Sequence, residues 1–198
     1  MNTPSHYVFN IALLGAVVNP KDMAKAKIAI TVGSMFPDVP IFIFYLITKF
    51  IQRLPEDQIW NEAYYDPSWH NFIALSHSIA VTAIVILICL YFRWTIATIF
   101  FSSMLLHCLF DLPFHHDDAH QHFFPFSDYR FISPISYWDP QHHGTFVALG
   151  ELLVVLAMTP FVFKMLDTRI AKIILIGINV VYVVGYALFY GGLYRFFS

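Results

Sequence analysis

The sequence predicts an all-α, polytopic membrane protein: a helical bundle of about six spans with a His/Asp-rich extramembrane loop. Three observations carry that expectation. The chain is 58% hydrophobic and only 12% charged, with a mean hydropathy of +0.63, and soluble domains carry about twice that charge. The charges are segregated, which leaves apolar runs long enough to cross a hydrocarbon core of ~30 Å. The histidines are gathered into one stretch, residues 107–143, rather than scattered. A length of 198 residues suits one integral membrane domain, 1–198, with 113–143 as its outer loop and no separate soluble domain.

Composition also excludes some classes. A formal net charge of −2 without a basic patch argues against a nucleic-acid partner. Cys89 and Cys108 both lie inside apolar runs and lack C-x-x-C spacing. They read as packing residues, with no disulfide framework. The start MNTPSH has no Lys or Arg, and no small-residue cleavage site follows the first apolar run. That argues against a cleaved signal peptide.

Residues 4–19 form a short apolar segment, marginal for a full crossing. Thr3-Pro4 reads as a helix cap followed by a first-turn proline, which places His6 in the first turn. A basic linker with Lys21, Lys25 and Lys27 follows. Residues 28–48 are apolar but interrupted by Pro37-Asp38-Val39-Pro40. Proline breaks or kinks a span, and an acid at membrane depth usually faces a bundle interior or cavity. Asp38 is therefore a functional candidate.

The polar, acidic stretch 49–69 ends in a second cap–proline pair, Asp66-Pro67, with His70 just after it. The span 71–92 carries His77 seven residues after His70, nearly two turns on, so both share a face. Arg93 marks a tight turn. The span 94–112 places Ser103, His107 and Asp111 each four apart on one helical face, and Pro113 ends it. Asp139-Pro140 is a third start of the same kind, with His142 and His143 in its first turn. The span 144–163 contains Glu151, eight residues after His143 and on its face. Lys164, Arg169 and Lys172 bracket a short connection to the last span, 170–192, whose Asn179, Tyr182, Tyr186 and Tyr190 read as a packing stripe.

Orientation follows from the basic residues. With six spans, Lys21, Lys25, Lys27, Arg93, Lys164, Arg169 and Lys172 share one side, against Lys49, Arg53, Arg130 and Arg195 on the other. The first set is expected in the cytoplasm. The N-terminus, the 49–69 stretch and the His-rich loop are then expected outside, and the lipid bilayer is the chain's first partner.

The stretch 107–143 holds seven of the ten histidines (His107, His115, His116, His120, His122, His142, His143) and five acids (Asp111, Asp117, Asp118, Asp128, Asp139). Imidazole with carboxylate is the donor pair that suits zinc, iron and manganese. A metal centre is the leading expectation, with His107 and Asp111 as its best-spaced pair.

In this order, His6, Phe36-Pro37-Asp38, Ser76-His77-Ser78 and Leu106-His107-x-x-x-Asp111 resemble the membrane-bound metal-dependent hydrolases, an inner-membrane family of bacteria and archaea. The likeness covers roughly the first 115 residues. The same order, His-x-x-x-Asp above all, is more distantly similar to the ligand order of zinc-dependent phospholipases C. The chain departs from the family at two places. Pro40 stands where a second acid is usual, and His70-Asn71 stands two residues further from His77 than the usual His-Arg pair. A guanidinium clamp on phosphate is thereby lost, and Arg130 could stand in for it.

The resemblance implies hydrolysis of an amphiphilic substrate, a phosphoester or other lipid, through water activated by one to three divalent ions, with zinc expected. His6, Asp38, His77, His107 and Asp111 would hold the metal, Asp38 acting as base or as ligand. His70, His116 or His120, His143 and Glu151 would complete it. Phe123, Phe124, Phe126, Tyr137 and Trp138 suit an interfacial lid, although an aromatic belt explains them equally. Two rivals remain. A di-iron membrane hydroxylase would use about eight histidines, and His116-x-x-x-His120 echoes it without any H-x-x-H-H box. A divalent-metal transporter or delivery protein would place ionisable groups toward both faces.

Overall fold

The computed structural model describes residues 1–191, which contain helices, turns and loops and no strand. The α-helices among them are α1 (Thr3–Gly15), α2 (Met23–Met35), α3 (Val39–Leu46), α4 (Glu56–Asn61), α5 (Pro67–Ser76), α6 (Ile79–Tyr91), α7 (Thr95–Asp111), α8 (Gly144–Met165) and α9 (Arg169–Phe189). Four segments are long and apolar enough to cross a membrane: Pro20–Ile51, Thr95–Phe114, α8 and α9. The pair α5–α6, bent by 45° at its break, makes a fifth if it counts as one span.

The count of about six spans is therefore not reached among the described residues, and α1 is the reason. Its 13 residues rise only ~20 Å, short of a core of ~30 Å. α1 is instead enclosed by α2, α7 and α8. Tyr7, Val8, Ile11 and Ala12 are buried with Ile30, Val155 and Val162, so this helix is a core element rather than a wall. Arg195, one of the cations in the orientation count, lies outside the described residues.

Two of the helices are broken, and the breaks meet. Pro37 and Pro40 flank the interruption between α2 and α3, where Phe36–Asp38 forms a single 3-10 turn. Between α5 and α6, Ser78 restarts the helix by accepting the N–H of Val81 at 3.1 Å. Ser76 Oγ donates to the carbonyl of Pro37 at 2.9 Å. One break thus satisfies a backbone group that the other has freed, as irregular backbone inside a bundle requires.

α7 packs between α2 and α6. Gly33 sets the α2–α7 distance, because a Cβ there would sit 2.4 Å from the carbonyl oxygen of Phe100. Only glycine allows the two backbones so close. At this contact Ser103 Oγ donates to the Ile30 carbonyl at 2.8 Å, and Asn10 Nδ2 donates to the Ser103 carbonyl at 2.8 Å. α1, α2 and α7 are pinned together at one polar point.

The two ends of the bundle differ in kind. At one end Lys27 Nζ pairs with Asp167 Oδ2 at 2.7 Å, and Gly15 meets Met165. At the other, α3, α4 and α5 form a cap around buried Phe44, Ile59, Tyr64 and Ile73, with Trp69 packed against them. The N-terminus and the 112–143 loop share that capped end.

Candidate metal centre

Three structural devices deliver four donors to one point. α7 presents His107 and Asp111 one turn apart, the α2–α3 break presents Asp38, and the α5–α6 break presents His77. One ligand atom from each of these residues lies within 4.8 Å of the others. Asp38 Oδ1 is 3.5 Å from the Nε2 of both His77 and His107, and Asp111 Oδ2 is 3.0 Å from His107 Nε2. Both histidines are fully buried, and Asp111 is 2% exposed.

Hydrogen bonds at the other ring nitrogen settle which nitrogen faces the centre. A carbonyl can only accept, so His107 Nδ1–H donates to Ser34 O at 2.7 Å and His77 Nδ1–H donates to Ile73 O at 3.0 Å. Each Nε2 then carries a lone pair turned inward, the tautomer a metal ligand needs. Neither Nε2 has a hydrogen-bond partner, although carboxylates stand nearby. An unpartnered polar atom of this kind is costly to bury. A divalent cation among two imidazoles and two carboxylates would satisfy all four groups at once, so the residues fit such an ion.

A second group, Asp111, His115 and His120, adjoins the first and is buried throughout. His115 Nε2 lies 3.3 Å from Asp111 Oδ1, and its Nδ1 lies 2.9 Å from Asp118 Oδ2. The His120 ring stacks on His77 with centroids 3.8 Å apart. Asp111 belongs to both groups: its Oδ2 lies 3.0 Å from His107 Nε2, while its Oδ1 faces His115 and is ion-paired with the Met1 ammonium at 2.6 Å. His6 positions this pair: its Nε2 is 3.0 Å from Asp111 Oδ1, and its ring stacks on His107 at 3.7 Å. Thr3 is not the side-chain cap expected of it. Asn2 occupies the N-cap position, and the Thr3 hydroxyl donates to Asp38 Oδ2 at 2.5 Å.

Electrostatics divide the loop histidines. Burial and the N-terminal ammonium pull His115 down, but Asp111 and Asp118 outweigh them and its pKa is raised. Burial likewise pushes Asp118 up, yet its bond to His115 holds it below the usual carboxylate range. His120 is driven well below its ordinary value by burial, then by His77 and His115. His122 is lowered to about 4 by burial and then by His77. Both therefore stand neutral, as donors, at physiological pH.

Four of the expected ligands lie elsewhere. Glu151 accepts from Asn2 N at 2.9 Å, Asn2 Nδ2 at 3.1 Å and the Tyr182 hydroxyl at 3.1 Å, and also bonds the Ser5 hydroxyl. It clamps α1 to α8 and α9. His70 Nε2 accepts from Arg130 at 2.5 Å, and its ring packs on Tyr64 and Tyr65. His116 donates to Ser133 O at 2.6 Å and stacks on His142, with centroids 3.6 Å apart. His143 is exposed, with a left-handed φ of 64°. It precedes α8, so the helical spacing that linked it to Glu151 does not apply. Gly144 follows it because a Cβ there would lie 2.6 Å from the Asp139 carbonyl oxygen.

One residue of the centre, His115, and one buried histidine outside both donor groups, His122, could have been singled out and were not. His115 continues the four-residue stripe of Ser103, His107 and Asp111 across Pro113. That spacing was the available signal. His122 is 1% exposed with both ring nitrogens unpartnered, and nothing in its spacing separates it from its neighbours. A cavity of about 630 Å³ leads to the centre past Asp38, His115 and His120, with Trp60, Tyr64 and Tyr65 at its aromatic side. No protein-family model, curated protein or solved structure matches the chain.

Proposed function

We propose that the protein is a metal-dependent hydrolase embedded in the bacterial plasma membrane, acting on an amphiphilic substrate, first of all a phosphoester, at the outer boundary of the bilayer. The single observation that carries this reading is the pair of donor groups sharing Asp111 at the base of a cavity. The likeness of the ordered His, Asp and His-x-x-x-Asp motifs to the membrane-bound metal-dependent hydrolases supports the reaction class. The donor chemistry suits zinc.

A bound divalent ion supplies Lewis acidity and makes water nucleophilic at neutral pH. The chain's own residues supply the rest. Backbone carbonyls hold His77 and His107 with Nε2 inward, so the donors are preorganised before any ion arrives. His6 and His115 hold Asp111 from two sides. Asp38 lines the cavity, which Asp111 does not. Of the two carboxylates in the four-residue donor group, Asp38 is therefore the one that attacking water can reach, and it accepts the proton while Thr3 fixes its second oxygen. Trp60, Tyr64 and Tyr65 give the cavity an aromatic side.

The test joins elemental analysis of the purified protein to two assays on one proteoliposome preparation: product release from a panel of phospho- and acyl-lipids, and metal flux. Bound transition metal with headgroup release and no flux is the expected result. Metal flux without hydrolysis across the panel would replace this reading with a transporter.

A further inference from the structure

A second cavity, of about 540 Å³, lies between α8 and α9. Asn2, Tyr137 and Trp138 line both cavities, so the two adjoin. Ala148 of α8 and Val181, Gly185, Tyr186 and Phe189 of α9 form much of the second cavity. We propose that this cleft holds a hydrocarbon chain of the amphiphile whose headgroup sits at the metal centre. The proposal rests on the hydrolase reading and names the apolar half of its substrate.

The polar atoms of the cleft point to an apolar occupant. Glu151 is saturated by Asn2, Ser5 and Tyr182. The Tyr190 hydroxyl donates to the Trp138 carbonyl at 2.9 Å. Among the described residues the lining holds a carboxylate and no cation, so a phosphate placed here would give up its water without gaining a charged partner. An alkyl chain loses nothing and removes apolar surface from water. The volume lies within the roughly 300–1,000 Å³ of small-molecule sites. Beside Gly185 the space is open among the described residues, where a Cβ would meet nothing within 4 Å.

Location fits the same occupant. Both walls are helices of membrane-crossing length, and the cleft lies at their metal-bearing end. Val180 and Val184 of α9 are exposed beside it, so a chain can enter from the lipid side. Its ester would then lie where the two cavities adjoin, on the side that Asp38 and His115 line.

The experiment uses the full chain in which Trp60, Trp69 and Trp94 are replaced by Phe, leaving Trp138 as the reporter. The probe is a phospholipid brominated in mid-chain, titrated into the micelles that hold the protein. Quenching of Trp138 that saturates at low mole fraction is expected, as is its loss in Gly185→Phe, which fills the cleft. The same variant should lower the ratio of kcat/KM for long-chain over short-chain esters by at least about tenfold. Ala148→Leu, from the opposite wall, repeats the test should Gly185→Phe fail to fold, with metal content as the folding control. Quenching that rises linearly with mole fraction and ignores both variants marks ordinary boundary lipid and overturns the proposal, even if esters are hydrolysed. Saturable quenching with no ester hydrolysed in the parent protein keeps the chain site and removes the hydrolase reading.

Discussion

α7 and α9 are both apolar helices with a polar stripe at helical spacing, and they put it to opposite uses. On α7 the stripe is Ser103, His107 and Asp111; on α9 it is Asn179, Tyr182, Tyr186 and Tyr190. α7 is enclosed by α1, α2 and α6. Its stripe is sealed from water, and His107 Nε2 is left without a partner. α9 packs chiefly on α8, and Leu175 is its one buried residue among those described. Its polar groups find partners: Asn179 accepts from Thr159 Oγ1 at 2.9 Å, and the hydroxyls of Tyr182 and Tyr190 reach Glu151 and Trp138. A stripe becomes a site where the fold withholds water and leaves a donor nitrogen unpartnered, as at His107. Where the fold supplies partners, the stripe joins helices.

The largest expected effect comes from the residue at which both donor groups meet. Asp111→Asn removes the charge that both groups share, and we expect metal content near zero by elemental analysis, with affinity lower by at least about 100-fold. Far-ultraviolet circular dichroism should stay close to wild type. Retention of a full metal complement would remove Asp111 from the centre. Gly33→Val is next, although Gly33 touches no donor. Its side chain would collide with the Phe100 carbonyl and drive α2 from α7, taking the Ser34 carbonyl away from His107. A several-fold weaker metal affinity and a lower Tm are expected together. The equivalent change on α9, Gly177→Val, meets no atom of the described residues within 4 Å and should leave metal binding alone.

Those two helices also mark how far the sequence could be read. Spacing encodes local geometry, so the pairing of His107 with Asp111, and the break that exposes Asp38, were legible from residue positions alone. The convergence of His77 on them was suggested by motif order. Beyond His115, the fate of the loop histidines was not legible, because the rest of 112–143 has no periodicity. Long-range backbone bonds place them instead: Ser133 N to His115 O at 3.0 Å, Tyr137 N to Phe114 O at 2.9 Å, and Ile79 N to His122 O at 2.9 Å. Glu151 misled for a similar reason. Its partners Asn2, Ser5 and Tyr182 come from both ends of the chain, and helical spacing within α8 cannot report them. The short reach of α1 was visible in its length, but its enclosure by three helices was not.

A pH response should separate the two stripes more finely. The His122 pKa falls from 6.5 to about 4 on folding, because burial disfavours its charged form and His77 adds to the penalty. Between those values the unfolded chain binds the extra proton and the folded chain does not. Stability is therefore intact above pH 6.5 and is lost as pH falls toward 4, by at most roughly 3 kcal/mol for this group. His120 acts in the same direction, while the raised His115 opposes them in part. Thermal unfolding of chelator-stripped protein from pH 7.5 to 4.5 should show Tm falling below pH 6.5, with a shallower slope in His122→Asn. An unchanged slope would mean that His122 takes up its proton as readily in the folded chain as in the unfolded one.

The smallest effect is expected from Tyr182→Phe, and it is the sharpest check on the contrast. The hydroxyl donates to Glu151 Oε1 at 3.1 Å and also meets the Ser5 hydroxyl. Removing it leaves Glu151 with Asn2 N, Asn2 Nδ2 and Ser5, so the carboxylate does not become an unpartnered buried charge. The cost should then be that of one ordinary hydrogen bond, about 1 kcal/mol, read as a Tm drop of a few degrees. Metal content should match wild type, because Glu151 and Tyr182 belong to neither donor group. α1 is the one route by which this change could reach the centre. Glu151 anchors Asn2 and Ser5 at its start, and His6 and Thr3 on the same turn orient Asp111 and Asp38. A metal loss approaching that of Asp111→Asn would mean that the α9 stripe sets the site through α1, and the division between site and glue would fall.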